Sequence, residues 1–139
     1  MATSPDNSTY YTSYYDGLGS TSAYQVAGQP FITGSDDLDN GHEHRISFPY
    51  VTKSITIQNI TGDGIRVHFA ATGSGNVVTG RHYAELKTAN SSLTMDVKCK
   101  EMFISNGSGN NNLKYRVVAE LTRIETHEMY PLTGSGITE

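Results

Sequence analysis

The densest grouping of chemically capable side chains in this 139-residue sequence is the stretch "DDLDNGHEH", residues 36–44. Asp36, Asp37 and Asp39 carry hard oxygen donors suited to calcium. His42 and His44, two residues apart, would share one face of an extended chain and suit zinc. A helix–loop–helix calcium loop needs Gly at its sixth position and Glu at its twelfth, and this register supplies neither. A zinc site needs a third ligand, and Glu43 faces away from the two histidines in an extended strand. The expectation is a solvated turn entering the first strand, with no metal and no cofactor held.

Nucleophilic chemistry has three serines to draw on, each in a Gly-Ser-Gly triplet: Ser74, Ser108 and Ser135. A nucleophile elbow follows a strand and opens a helix, and none of the three does so. Flexible turns explain them. Asp96, Glu101 and Glu120 could be assembled into a glycosidase-type carboxylate pair, but any β-protein offers such pairs. Glu120 and Arg123 read as a surface ion pair, and His68 as a solvent-facing strand residue beside Arg66. Cys99 alternates with apolar neighbours in "LTMDVKCKEMF" and reads as a small core residue. A single cysteine excludes an intramolecular disulfide and a Cys-based zinc site. The "TGDG" at 61–64 joins two strands, so it is no phosphate loop. No catalytic residue is assigned. Four Asn-x-Ser/Thr sequons, at Asn7, Asn59, Asn90 and Asn106, follow from the Asn/Ser/Thr-rich composition.

The elements that would position such groups are strands. In "RISFPY", Ile46, Phe48 and Tyr50 alternate, with Pro49 demoting the run to an edge or a bend. Ile55 and Ile57 share a face in "KSITIQNI", and Ile65, Val67 and Phe69 share one in "IRVHFA", which predicts a hairpin across "TGDG". "RHYAELK" is a short strand. Leu93, Met95, Val97 and Cys99 alternate, and a phase change to Met102 and Ile104 suggests a bulge or corner. Leu113, Tyr115, Val117, Ala119 and Leu121 alternate along a final long strand. Six or seven strands without a sustained helical period predict an all-β fold: an antiparallel β-sandwich or jelly-roll-like barrel over about 45–124. The domain, 45–139, ends in an irregular tail.

Residues 1–44 follow a different pattern and are expected to form an extended arm rich in Tyr, Ser and Gly. Tyr10, Tyr11, Tyr14, Tyr15, Tyr24 and Phe31 are its candidate anchors for a partner, since an aromatic ring offers large contact area at low entropy cost. On this division the β-domain should fold without residues 1–35.

Charged residues are 17% of the chain, against roughly 25% in an average domain, and the formal net charge is −4. That balance gives no reason to expect nucleic acid or an anionic membrane as partner. No apolar run is long enough to span a bilayer, and no secretory signal is visible.

The stretches "FPYVTKSITIQNITGDGIRVHFA", "HYAELKTANSSLTMDVKCKEMFISN" and "YRVVAELTRI" resemble the small β-sandwich decoration (cement) proteins of tailed-bacteriophage capsids, over about residues 45–124. The resemblance implies a non-enzymatic virion protein, made in the host cytoplasm and seated on the capsid surface. Its partner would be the major capsid protein, and it would act as a homo-oligomer, often a trimer, with arms that clamp neighbouring capsomers. The alternatives are a receptor- or glycan-binding module of a phage tail fibre, and a small hydrolase on a β-scaffold.

Overall fold

The computed structural model describes residues 17–25, 27–73 and 76–139. One short helix, α1 (Thr21–Gln25), precedes eight strands. These are β1 (Gln29–Leu38), β2 (Glu43–Ser47), β3 (Tyr50–Asn59), β4 (Ile65–His68), β5 (Ala84–Leu86), β6 (Ser92–Met95), β7 (Glu101–Asn106) and β8 (Leu113–Glu125). They form two four-stranded sheets, ordered β1-β8-β3-β6 and β2-β7-β4-β5, and every pairing is antiparallel. The all-β sandwich expected from the alternating pattern is the fold observed.

The sheets close on one core. Ile55, Ile57, Val117, Ala119 and Leu121 of the first sheet meet Ile46, Ile65, Val67, Met102 and Ile104 of the second, with Tyr115 and Cys99 buried among them. Each inward position is the apolar half of an alternating strand, and burying one such side chain is worth roughly 1.5–3 kcal/mol. Burial also raises the Cys99 thiol pKa, consistent with a packing role.

Two boundaries differ from the sequence expectation. The sandwich begins at Gln29, so the arm does not run to residue 44 and a cut at residue 35 would remove most of an edge strand. In β1 the inward positions ahead of its register shift are Phe31, Thr33 and Ser35, paired with Ala119, Val117 and Tyr115; Leu38, buried opposite Leu113, follows the shift. Only one of the three is apolar, so the strand leaves no hydrophobic period. Gly34 lets β8 come close, since a Cβ there would lie 2.5 Å from the Tyr115 carbonyl oxygen. The predicted hairpin across "TGDG" is instead a corner, because β3 belongs to the first sheet and β4 to the second. Buried Asn59 builds that corner. Its amide donates to the carbonyls of Asp63 and Leu86 (2.7 and 2.9 Å), and its oxygen accepts from the backbone N–H of Gly62 (3.2 Å), which sits at φ 90°. That engagement gives the Asn59 sequon a structural reason to exist without a glycan.

The β3–β8 ladder is irregular between Tyr50 and Ser54. Beyond Leu121 the outward positions of β8, Thr122 and Ile124, are buried as well. The Thr122 hydroxyl donates to the Val51 carbonyl (2.7 Å) and accepts from the Ile124 N–H (3.1 Å), replacing ladder bonds that the bulge removes. Thr122→Val keeps the shape and leaves both backbone groups unpaired, so it should cost roughly 2–5 kcal/mol. Thr122→Ser should cost much less. Denaturant unfolding of the two variants checks this.

Candidate functional site

Helix α1 is five residues long, too short to persist alone. A second apolar cluster holds it: Ala23 packs with Val51, Ile124 and Met129, and Leu18, Tyr24 and Leu132 close the edges. Ile124 faces this way by the regular alternation of β8, in step with Val118 and Glu120, and the β3–β8 irregularity brings Val51 round to join it. The Tyr24 hydroxyl donates to the Leu18 carbonyl (3.0 Å), and the Lys98 ammonium lies 5.9 Å from the ring centroid. Burial, aided by Tyr130, raises the Tyr24 pKa. The chain just ahead of the sandwich is therefore fastened to it.

Beside Tyr24 runs an open groove of about 590 Å³, lined by Lys53, Ser54, Asp96, Val97, Lys98 and Glu120 as well as the ring. Glu120 accepts from the Ser54 hydroxyl at 3.2 Å and lies 3.9 Å from the Lys53 ammonium. Lys53, rather than Arg123, is thus the cation beside Glu120. An aromatic ring with two cations and two carboxylates can hold a polar peptide or a saccharide.

Of the six anchor candidates, Tyr10, Tyr11, Tyr14 and Tyr15 lie outside the described residues. Tyr24 stands at the root of the arm, as above. Phe31 is in β1, half-buried against the main core, with its ring edge-on to Phe48 at 5.6 Å. Its contact is with the sandwich itself.

The acidic–histidine stretch is dispersed by its own strands. Asp36 pairs with Arg116 (3.0 Å), Asp37 accepts from the Ser35 hydroxyl, and Asp39 accepts from the Asn112 N–H (3.1 Å). His44 shares a hydrogen bond with the Tyr115 hydroxyl (2.9 Å), and burial pushes the Tyr115 pKa up to about 12. Among the described residues, no three His, Cys, Asp or Glu side chains converge on a common point. Asp96 and Glu120 line the same groove, whereas Glu101 sits on the other sheet, bonded to Arg45 at 2.7 Å.

The sequence reads His68 as solvent-facing, and the structure buries it. Alternation puts it opposite Val67, on the outer face of the second sheet, yet it is only 1% exposed. Ala70 and Val77, from the loop after β4, are buried as well. The clue in the sequence is the pair of valines, Val77 and Val78, in an otherwise polar, glycine-rich loop. His68 Nδ1 bonds the Ala70 carbonyl (2.7 Å) and can only donate there, which leaves Nε2 to accept from the Ser105 hydroxyl (2.9 Å). Phe103 stacks on the ring at 6.0 Å, and Glu43 lies 3.8 Å from Nε2. This is the polarity of a nucleophile and its base. Ser105 is 7% exposed and its histidine is sealed, so the pair serves as a satisfied polar seam under the loop.

Comparison with protein-family models, curated proteins and solved structures gives no match.

Burial lowers the His68 pKa, outweighing the raising effects of the Ala70 carbonyl and Glu43, while Arg66 lowers it further. With the folded pKa below the unfolded value of about 6.5, the unfolded chain binds more protons between the two. Stability is thus fully present above about pH 6.5 and declines as pH falls below it. His68→Asn can keep the bond to Ala70 and should flatten part of this decline, at a cost of about 1–3 kcal/mol at neutral pH. Melting temperatures of both proteins between pH 5 and about pH 7.5 read the effect.

Proposed function

We propose that this chain is a non-enzymatic structural protein of a virion, a decoration protein that binds an assembled capsid shell through the tyrosine-rich segment ahead of Gly17. The observation that carries this reading is the fastening of α1. Leu18, Ala23 and Tyr24 tie the root of the segment to Val51, Ile124 and Met129, so load on the arm passes directly into the sandwich. A partner bound by Tyr10, Tyr11, Tyr14 and Tyr15 is then held to a rigid body.

The energetics ask for several anchors together. Ordering a free segment costs roughly 1–2 kcal/mol per residue, which no single ring recovers. Four tyrosines within six residues supply repeated contacts. Many copies on one shell add avidity without new contacts. The partner suited to this is the major capsid protein, whose subunits repeat across a shell. The groove beside Tyr24 supports the second reading, a receptor- or glycan-binding module of a tail fibre.

Removal of residues 2–16 should leave the melting temperature unchanged within a few degrees and reduce loading onto capsids at least tenfold, about 1.4 kcal/mol. Changing Tyr10, Tyr11, Tyr14 and Tyr15 to Ser together should do the same. Occupancy is read by co-sedimentation with purified shells. Loading by the truncated protein at the level of the full chain would end the proposal, and saccharide binding by that same truncated protein would favour the tail-fibre reading.

A further inference from the structure

The outer face of the first sheet carries a row of β-branched side chains. Ile32, Val118, Thr56 and Thr94 are register neighbours across all four strands. Ile32 is 70% exposed and Val118 43% exposed, and the two threonine hydroxyls bond each other at 3.0 Å. Along β8, the outward residues read Lys114, Arg116, Val118, Glu120. One end of the strand is basic, the middle apolar, the other end acidic. Asp36 pairs with Arg116 at 3.0 Å, while Lys114 has no ion pair among the described residues. The Glu120 side chain is 55% exposed, with Lys53 3.9 Å away.

We infer that this face binds a second copy of the same chain, packed sheet to sheet about a two-fold axis running across the strands. Such an axis reverses the strand direction of the facing copy. The acidic Glu120 end of each β8 then lies over the basic Lys114 end of the other, with the apolar rows between them. Parallel apposition would instead stack like charge on like charge. The strip is thus complementary to itself in one orientation, which is the property of an isologous contact. A row of β-branched side chains is flat enough to meet its copy at the ordinary spacing of packed sheets, about 10 Å.

Helix α1 bounds the face beyond Glu120, so the facing copy covers the Lys114–Glu120 stretch. Seven residues of length across β1, β8 and β3, with the four-residue β6 beside them, cover roughly 350 Å² per copy. A standard stable interface buries about 800 Å² per partner, so this contact is reversible and depends on concentration. The inference does not rest on the decoration reading, because it concerns the purified protein with no shell present. A two-fold pair also differs in mass from the trimer that the family resemblance implies.

The test is sedimentation of the full chain from micromolar to millimolar concentration. The wild-type protein should move from monomer to dimer. Val118→Asp, and separately Ile32→Asp, should keep it monomeric at an unchanged melting temperature, the two variants guarding against one that fails to fold. Glu120→Lys should weaken the dimer about tenfold or more, and adding Lys114→Glu should restore most of that loss. A wild-type monomer at the highest concentration would overturn the inference. So would a trimeric mass, a dimer indifferent to both Asp variants, or a Lys114–Glu120 exchange that restores nothing.

Discussion

The arrangement turns on the bulged crossing of β3 and β8 between Tyr50 and Ser54. On β8 the alternation runs on unbroken, so Ile124 falls on the outer face with Val118 and Glu120. On β3 the irregularity changes the phase, so that Val51, of the same parity as the core residues Ile55 and Ile57, joins Ile124 in a separate apolar patch on the outer face. Two fully or nearly buried threonines make the crossing affordable. Thr122 bridges Val51 and Ile124, and Thr52 bonds the Val97 carbonyl (2.7 Å) and the Cys99 N–H (3.1 Å). Each hydroxyl acts as donor and acceptor at once, the capability needed where two backbone groups lose their ladder partners. The same residues also carry the 97–99 link between the sheets, so the core, the outer patch and the seat of α1 share one joint.

Placement of α1 follows from that joint. A five-residue helix contributes little stability of its own, and its position is dictated by the patch beneath it. Because the patch lies at the Ile124 end of β8, Gly17 and α1 sit at that end of the outer face. The groove with Lys53, Lys98, Asp96 and Glu120 opens beside the same helix. Arm root, groove and open sheet face are therefore neighbours, all on one side of the sandwich. The opposite side is closed by the loop after β4, which His68 grips through Ala70 and Glu43 through the Thr72 N–H (3.0 Å).

Sequence alternation made the strands legible wherever both sheets bury them on one side only. β8 is the clearest case: Leu113, Tyr115, Val117, Ala119 and Leu121 all point into the core, as the period of two requires. The burial of Cys99 was readable for the same reason. Pairing was harder to read. Six of the seven strand connections pass from one sheet to the other, so nearness in sequence is a poor guide to hydrogen bonding. The β3–β4 corner looks like a hairpin because Gly62 and Gly64 serve either purpose. β1 was hidden because an edge strand can turn Thr33 and Ser35 inward at partly buried positions, where no apolar signal is needed. His68 was placed on the correct face, and only a covering loop distant in register makes that face an interior.

The distribution of buried polar groups then says which surfaces are finished. Behind β4 and β7 the donors and acceptors of His68 and Ser105 satisfy each other, and Phe103 and Val77 are covered; further burial there would gain little. On the first sheet the opposite holds. Ile32 and Val118 remain in water although the fold could have placed a helix over them, as it did over Val51 and Ile124 only a few residues away. Among the described residues, α1 covers the one outer patch while Ile32 and Val118 beside it stay exposed. Isolated exposed apolar residues are ordinary on a protein surface, but two in direct cross-strand register, continued by paired threonines and ended by opposite charges, form a surface with direction. Direction is what recognition needs and what simple solubility does not. The first sheet thus carries both the exposed row and the seat of α1, and the second sheet backs it through the shared core.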